Sequence, residues 1–339
     1  MAQKRKFKVV ITDCVSNLTL SANIEQRILS KVGAVVEKYQ YGLPRDEARV
    51  REIVRHADVV LSDTGPITRS VISNMARARG IVSYGAGYDH IDVKTATERG
   101  IVVCSVPDYL TYEVADHTLA LILALNRKIL RGDRIVRTSR WTGWHSWMEL
   151  KPIQSMDGMT AGIIGFGTIG RQVAERLKAF KLKLLTYDPY VNSEEARRLR
   201  VKAVDLQTLL QRSDIITLHV PLTEETRHLI SKRELQLMKR EAVLINTSRG
   251  KVVDLSALRE ALTKRRIGGA GLDVLETFPL HPDDQLLKLD NVIFTPHMAW
   301  YSEASARRTQ KLAAEEAARI LRGESVRHPV NLECLKRHD

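Results

Sequence analysis

Short apolar runs alternate with segments of helical periodicity along most of this 339-residue chain. The first third contains four such runs, FKVVITD, ADVVLSD, RGIVSYGAG and RGIVVCSVP, separated by helical patterns. This alternation is typical of βαβ units and predicts a parallel sheet. A longer helical pattern over residues 113–130 predicts one helix leading out of that sheet, with one side formed by Ala115, Leu119, Ile122 and Ile129.

A second series of elements begins at Thr160 with the segment TAGIIGFGTIGRQVAERLKAFKLKLLTYD. Its pattern predicts a strand, a glycine turn, a helix and a second strand. Gly165 permits the tight turn, Gly167 lets backbone approach a pyrophosphate, and Gly170 lets the helix pack closely on the strand. The helix N-terminus then faces the phosphates with unpaired N–H groups and the positive end of its dipole. The segment therefore predicts a dinucleotide-binding turn.

Asp188 ends the second strand of this unit, where an acidic residue accepts hydrogen bonds from the adenosine ribose hydroxyls. A carboxylate there also repels the 2′-phosphate of NADP. The neighbouring Pro189 and Tyr190 supply no cation to hold that phosphate. The sequence therefore favours NAD over NADP.

The remaining strands of the second series are predicted at SDIITLHVP, EAVLINTSRG, GGAGLDVLE and NVIFTPH. Each ends in polar or special residues. In open α/β sheets ligands bind beyond the carboxyl ends of the strands. We therefore expect one crevice to collect the residues that follow them, namely Val220, Pro221, residues 247–250, Asp273 and His297.

Two residues of this crevice are candidates for chemistry on a 2-oxo acid. The planar guanidinium of Arg249 can hold a carboxylate through two parallel hydrogen bonds. His297 is the best candidate for the proton donor that a 2-oxo acid requires as hydride arrives. Asp273 either binds the carboxamide of nicotinamide or closes a turn. In the first series, Gly85, Ala86 and Gly87 either offer N–H donors to a substrate carboxylate or form an ordinary turn.

Two segments outside the sheets also carry a pattern. Trp141, Trp144 and Trp147 fall in an irregular polar segment, and such rings either pack under a loop or meet another subunit. The amphipathic pattern over residues 303–321 predicts a helix that Gly323 ends. Since no strand follows, we expect this helix to return and cover the first domain.

Length, cysteines and apolar content place the chain among two-domain cytoplasmic proteins. No apolar run reaches the length of about 18 residues that spans a bilayer, and the basic start reads as a first strand rather than a signal peptide. Cys14, Cys104 and Cys334 are too scattered for a disulfide framework or a metal cluster, so we expect a reducing cytoplasm and no metal site.

The net charge of +13 raises the question of nucleic acid, since clustered Lys and Arg bind phosphate backbones. The basic residues are spread along helical segments, with acids interspersed and no zinc-finger or basic-zipper pattern. A solvated surface whose field attracts small anionic substrates and cofactors is the simpler interpretation. We therefore do not expect a nucleic-acid partner.

Seven ordered motifs resemble the D-isomer-specific 2-hydroxy acid dehydrogenases over nearly the whole chain: YGAGYDHID, EVADHTLALILAL, GIIGFGTIGRQVA, HVPLTEETRHLI, INTSRGKVVD, AGLDV and TPH. The ending HMAWYSEAS further resembles the branch that includes the C-terminal-binding protein corepressors. The resemblance implies an α/β protein with two doubly wound parallel-sheet domains. A Rossmann NAD domain, residues 105–299, is inserted into a flavodoxin-like substrate domain built from residues 1–104 and 300–339. It also implies a homodimer that buries the tryptophan-bearing arm.

The resemblance further implies a role for individual residues. Arg249 is similar to the substrate-binding catalytic arginine and His297 to the acid/base histidine, while Trp300 matches an aromatic lining the substrate pocket in the corepressor branch. Cofactor contacts are implied for Gly165, Gly167, Thr168, Ile169, Gly170, Asp188, Val220, Pro221, Thr226, Thr247, Ser248 and Asp273.

One position departs from the family pattern. The family places a glutamate five residues after the aspartate of LDV, where it pairs with the histidine and raises its proton affinity; this chain has Phe278 there. Glu276 is near in sequence, but strand alternation or a tight turn aims it elsewhere. The leading interpretation is an NAD-dependent reductase of a 2-oxo acid. The alternative is an NAD(H)-sensing, corepressor-like binding protein with weak or no turnover.

Overall fold

The computed structural model describes residues 6–13, 23–39 and 46–337, with side chains up to residue 334. The chain divides into two compact units, one formed by residues 1–110 with 301–339 and the other by residues 111–300. The second unit is thus inserted into the sequence of the first. Cys14 lies outside the described residues, whereas Cys104 and Cys334 are buried free thiols.

A five-stranded parallel sheet forms the centre of the first unit, in the order β2-β1-β3-β4-β5. Its strands are β1 (Phe7–Ile11), β2 (Ala34–Lys38), β3 (Val59–Ser62), β4 (Gly80–Ser83) and β5 (Val102–Cys104). The helices between them are α1 (Asn23–Leu29), α2 (Glu47–Ile53), α3 (Arg69–Asn74) and α4 (Val93–Glu98). The sequence pattern missed β2, a half-exposed edge strand with one buried residue.

The second unit begins with two helices where we predicted one. Helix α5 (Thr111–Asn126) ends before Lys128, whose φ of 52° is left-handed, and α6 (Ile129–Arg137) starts directly after it. The prediction of one helix over residues 113–130 was therefore wrong at its end. Ile129 is 54% exposed and does not share the buried side of α5.

A seven-stranded parallel sheet forms the centre of the second unit, in the order β12-β11-β10-β9-β6-β7-β8. Its strands are β6 (Thr160–Ile164), β7 (Lys183–Tyr187), β8 (Lys202–Ala203), β9 (Ile215–Leu218), β10 (Val243–Asn246), β11 (Gly269–Leu272) and β12 (Val292–Phe294). The helices between them are α7 (Thr168–Lys178), α8 (Ser193–Arg198), α9 (Leu206–Arg212), α10 (Lys232–Leu237) and α11 (Leu255–Thr263). The strand order reverses between β6 and β9, which is where a doubly wound sheet binds its ligand.

Both sheets are covered by helices on both faces, and the unbroken apolar sequence of their strands is consistent with this burial. Strands β9 and β10 are almost wholly buried, as expected for parallel strands between two layers of helices. Separate clusters of buried apolar side chains cover the two faces of each sheet. The predicted fold class, two doubly wound parallel-sheet domains, is confirmed.

The last helix, α12 (Glu303–Arg322), returns to the first unit as predicted. Ser302 caps its start, and Gly323 ends it with a left-handed φ of 74°. Its small buried residues pack against the first sheet. Within the described part of the chain, no helix is both long and apolar enough to cross a membrane.

The tryptophan-bearing arm, defined here as residues 138–150, packs under no loop among the residues that the structure describes. Trp141, Trp144 and Trp147 are 64%, 77% and 47% exposed. The last two belong to a 3-10 helix, Trp144–Leu150. The first of the two predicted alternatives is therefore wrong for the described residues, and contact with another subunit stays a prediction.

Candidate active site

The predicted glycine turn connects β6 to α7. Gly165 has a φ of 89°, and a Cβ added there would lie 2.5 Å from the carbonyl oxygen of His219. Its N–H donates to the Tyr187 carbonyl at 2.9 Å. Gly170 faces the Gly165 carbonyl so closely that a side chain would overlap it. The turn and the close packing of α7 on the sheet thus require these glycines.

The N-terminus of α7 is open in the way a pyrophosphate needs. Gly167 is its N-cap, no side chain caps it, and a Cβ added at Gly167 would meet nothing within 4 Å. Thr168 is exposed and Ile169 half-buried. The first N–H groups of a helix have no partner within the helix and attract anions.

Asp188 lies beside this turn. Its Oδ2 accepts a hydrogen bond from the Phe166 N–H at 2.7 Å, and its Oδ1 accepts one from the Tyr190 N–H at 2.8 Å. Each carboxylate oxygen retains a further lone pair that a ribose hydroxyl can use. The residues present therefore fit a dinucleotide without a 2′-phosphate.

The loop after β9 is closed by its own side chains. The Thr226 hydroxyl donates to the Pro221 carbonyl at 2.7 Å and accepts from the Thr223 N–H at 2.7 Å. Val220 is half-buried where the loop leaves the strand. These hydrogen bonds fix the shape of the loop. The loop lies next to the glycine turn, since the His219 carbonyl that precedes it is close to Gly165.

Asn246, which sequence reasoning missed, shapes the loop that presents Arg249. Its buried Oδ1 accepts from the Ser248 N–H and hydroxyl at 3.0 and 2.9 Å, and its Nδ2 donates to the Arg249 carbonyl at 3.0 Å. The Thr247 hydroxyl lies 3.0 Å from that of Thr118. An asparagine ending a buried strand before a polar loop was the signal that could have identified it.

Arg249 leaves this loop half-buried. Its Nη1 donates to the Ser248 carbonyl at 2.9 Å. The next residue, Gly250, lies so close to the Leu275 carbonyl that a Cβ would overlap it. This approach holds the loop against the segment that follows β11. The guanidinium is close enough to His297 for its charge to lower the pKa of that histidine.

His297 follows β12 with a left-handed φ of 54°. Its N–H donates to the Asp273 carbonyl at 2.9 Å. The Asp273 carboxylate, buried to 2% exposure, holds the rest of the loop by accepting from the Thr295 hydroxyl at 2.6 Å, the Met298 N–H at 2.9 Å and the Ala299 N–H at 3.0 Å. Of the two roles we left open for Asp273, turn closure is the one these contacts support.

Desolvation is the largest effect on His297 and lowers its pKa below 6.5. The side chain retains solvent contact, but the surrounding protein still disfavours the charged ring. The Asp273 carboxylate raises the pKa and the Arg249 guanidinium lowers it further. Both charges therefore act on the ring that would transfer the proton.

His117 joins the site from α5, although we assigned it no role from the sequence. Its Nε2 lies 2.9 Å from the Thr295 hydroxyl and 3.6 Å from Asp273 Oδ1. Because the hydroxyl proton of Thr295 goes to Asp273, His117 Nε2 must carry the proton of the hydrogen bond to Thr295. Sequence reasoning missed His117 because it lies within a helix whose pattern is otherwise mainly apolar, and nothing in that pattern shows that its ring reaches Thr295.

Glu276 is engaged elsewhere, as the strand register suggested. Its Oε1 pairs with His228 Nε2 at 2.7 Å, and its Oε2 accepts from the Leu255 N–H at 3.1 Å. Phe278 is 78% exposed. Apart from Asp273, no carboxylate is identified as shifting the pKa of His297 among the described residues.

The other predicted residues belong to different parts of the fold. Gly85, Ala86 and Gly87 follow β4 in the first unit, where the Ser83 hydroxyl donates to the Gly87 carbonyl at 2.6 Å. Trp300 is half-buried and is the last residue of the second unit. Among the residues described, no group of three or more His, Cys, Asp or Glu side chains is placed to hold a metal ion.

Residues 119–299 match the family described as D-isomer specific 2-hydroxyacid dehydrogenase, NAD binding domain. The chain is 42% identical to a glyoxylate reductase of Korarchaeum cryptofilum over 94% of this chain and 96% of that protein. It is 39% identical to a D-3-phosphoglycerate dehydrogenase of Archaeoglobus fulgidus, covering 98% of this chain and 61% of that longer protein.

A solved structure with the same architecture is the D-lactate dehydrogenase of Aquifex aeolicus, complexed with NAD and lactic acid. It superposes with a TM-score of 0.81 at 30% identity, covering 97% of this chain and 98% of that one. Its likeness extends over both units rather than over the matched NAD-binding segment alone.

Proposed function

Because the chain belongs to the D-isomer-specific 2-hydroxyacid dehydrogenase family and is an NAD-dependent oxidoreductase acting on CH–OH donors, we propose that it reduces a small 2-oxo acid. Arg249 binds the substrate carboxylate, and His297 donates the proton. The observation that supports this most is the shared electrostatic environment of the two side chains, which follow different strands at the same sheet edge.

Arg249 supplies binding and polarisation. A guanidinium matches a carboxylate with two parallel N–H donors, and its charge stabilises negative charge that develops on the substrate oxygen. Asn246 holds the Arg249 carbonyl, and the close approach of Gly250 fixes the next residue. Both contacts restrict the conformations of the loop that carries Arg249, so less conformational freedom is lost when Arg249 binds substrate.

His297 supplies the proton that turns the substrate carbonyl into a hydroxyl. Its lowered pKa means that the neutral ring prevails at neutral pH. Reduction requires the imidazolium, so the reaction should be fastest in acid; oxidation of the hydroxy acid requires the neutral ring and is favoured at higher pH. Asp273 opposes the lowering and holds the loop, so it is a positioning residue here.

The open N-terminus of α7 and Asp188 would hold NAD, with Gly167, Thr168 and Ile169 next to the phosphates. The cofactor supplies or accepts a hydride when bound. The Thr226 loop, Thr247 and Ser248 are the other proposed cofactor contacts. Gly85, Ala86, Gly87 and Trp300 are the proposed substrate contacts.

The substrate is proposed to be a short 2-oxo acid, with glyoxylate as the first to test. Support comes from the relative named glyoxylate reductase, which matches over nearly its whole length. The absence of the family glutamate at Phe278 does not favour reduction over oxidation, because a carboxylate partner would raise the pKa of the histidine and so favour the imidazolium that reduction requires.

One observation favours a second candidate, an NAD(H)-sensing protein with weak or no turnover that resembles the corepressor branch. Glu276 is occupied by His228 and Phe278 points to solvent, so neither replaces the missing glutamate. Retention of both Arg249 and His297 argues against it, since a pure sensor needs neither.

The exposed tryptophans support a homodimer in which the arm packs on the second subunit. Seven apolar side chains between residues 129 and 148 are exposed: Ile129, Leu130, Val136, Trp141, Trp144, Trp147 and Met148. Light scattering should give twice the mass of the chain, and Trp144→Ser with Trp147→Ser should shift the mass towards that of the monomer.

The buried free thiols of Cys104 and Cys334 are in keeping with the proposed reducing cytoplasm.

The experiment that separates the two candidates combines binding and turnover. NADH binding is measured by fluorescence, and NADH oxidation is followed over glyoxylate, pyruvate and hydroxypyruvate. A reductase binds NADH and oxidises it in the presence of at least one of these acids. Saturable NADH binding without oxidation by any of them would instead support the sensor.

A further inference from the structure

A basic cavity of about 370 Å³ opens at the amino-terminal edge of the seven-stranded sheet. Val243, which begins β10, and Val292, which begins β12, both line it. Arg249 and His297 follow the opposite ends of these strands. Four residues of parallel strand span about 13 Å. The cavity is therefore a place distinct from the candidate active site, and it lies wholly within the second unit.

Positive charge dominates the wall of this cavity. Six cationic side chains line it, Lys128, Arg131, Arg134, Lys151, Arg240 and Arg265, against the two carboxylates Glu241 and Asp290. Asp290 is shared, since its oxygens lie 3.3 Å from Arg131 Nε and 2.5 Å from Arg265 Nη2. Across residues 6–13, 23–39 and 46–334, no carboxylate forms an ion pair with Lys128, Arg134 or Arg240. The cations therefore outnumber the charges available to neutralise them.

Lys128 is half-buried in the wall of the cavity, close to two of the other cations. Burial lowers its pKa, and the neighbouring Arg131 and Arg265 lower it further against the opposite effect of Glu241 and Asp290. Its left-handed backbone, with a φ of 52°, fixes it at the junction of α5 and α6. An anion in the cavity would relieve the repulsion among these cations.

Asn291 is a second and independent indication of a ligand. Asn291 is one of the residues that line the cavity, and it is 6% exposed. Neither its Nδ2 nor its Oδ1 has a hydrogen-bond partner within the part of the chain that the structure describes. A buried amide without partners is unfavourable, and its N–H groups are suitable donors to an anion.

We propose that this cavity binds a compact anion with at least two negative charges. Six cations against two carboxylates leave room for more than one negative charge, so a monovalent ion would neutralise the wall only in part. The volume suits a small metabolite rather than a polymer. Phosphate esters and polycarboxylates share this chemistry, and the probes below distinguish them.

The test is isothermal titration of the full chain with inorganic pyrophosphate and, separately, with citrate. Saturating NADH is present throughout so that the glycine turn at Gly165 does not compete for the probe. Sodium chloride at matched ionic strength is the reference. We expect saturable binding of at least one probe and none of chloride. Tighter binding of pyrophosphate assigns a phosphate ligand, and tighter binding of citrate assigns a polycarboxylate.

Two variants locate the binding. The double variant Lys128→Asn, Arg240→Gln removes two cations. Asparagine is chosen at residue 128 because it tolerates the left-handed backbone. We expect binding to weaken by about tenfold or more, because charge-assisted contacts are lost. The matched control, Arg307→Gln with Lys311→Gln on α12, removes two exposed cations of the first unit and should bind as the native chain does.

Asn291→Asp gives a second readout that does not depend on the double variant folding. It places a carboxylate among the cations, so it should abolish binding and raise Tm at low salt. Binding no stronger than that of chloride, or equal affinity in the native chain and the Lys128→Asn, Arg240→Gln variant, would overturn the proposal. So would loss of binding together with a change in mass by light scattering, because the cations would then belong to a subunit contact.

Discussion

Asp273→Asn should loosen the loop that carries His297 while leaving the size of the side chain unchanged. Asp273 is almost fully buried, and both its oxygens accept hydrogen bonds from residues 295–299. An asparagine has one oxygen, so at least one backbone N–H must face the new NH2 group. This loses at least one hydrogen bond to a charged group, about 1.5–3 kcal/mol. For a unit of this size that corresponds to a fall in Tm of about 3–12 °C.

The same change should alter the pH dependence of activity. The Asp273 carboxylate raises the pKa of His297, against the larger lowering by desolvation. Without that charge the pKa falls further, so the imidazolium needed for reduction persists only at lower pH. The rate of glyoxylate reduction should therefore decline earlier as pH rises, and the rate at neutral pH should drop.

Thermal unfolding and the pH profile of NADH oxidation measure these two effects. The matched control is Asp283→Asn, which removes an exposed carboxylate that lies 3.7 Å from His281 Nδ1. That variant should resemble the native chain in both measurements. A native Tm together with a native pH profile in Asp273→Asn would refute the reasoning that Asp273 holds and charges the His297 loop.

Three further substitutions test individual residues. Asp188→Ala should weaken NADH binding by about 1.5–3 kcal/mol and relax discrimination against NADPH, because the ribose loses a charged acceptor; unchanged affinities in fluorescence titrations would contradict this role. Arg249→Lys should be nearly as inactive as Arg249→Ala in steady-state kinetics, since an ammonium lacks the planar pair of donors; near-native kcat/KM would reduce Arg249 to a general positive charge. Phe278→Glu should move the decline of reduction to higher pH and raise turnover at neutrality if the new carboxylate reaches His297; overlapping pH profiles would show that it does not.

Much of the fold could be predicted because its signals are local. The turn of Gly165 and the helix after it follow from close approaches that only glycine permits, and buried parallel strands appear in sequence as unbroken apolar runs. Strand β2 escaped because an edge strand with one buried residue leaves a weak pattern. The end of α5 escaped because the left-handed Lys128 breaks a helix without proline or glycine to mark the break.

The candidate site was predictable only in part. Arg249 and His297 were proposed from chemistry and from their place after strands, and the sheet order brings the ends of those strands to one edge. The supporting residues Asn246 and His117 were not, because their importance depends on contacts with Ser248 and Thr295. Such contacts join distant segments and have no periodic signature in the sequence.

The most direct test of the account is the pH dependence of glyoxylate reduction by NADH, in the native chain and in His297→Gln. We predict that the native rate is saturable in glyoxylate, highest in acid, and declines as pH rises through a midpoint below 6.5, the side to which desolvation moves the pKa of His297. His297→Gln should bind NADH normally and lose both the activity and its pH dependence. NADH binding without oxidation in the native chain, or a native rate in His297→Gln, would contradict the proposal that His297 donates the proton to a 2-oxo acid.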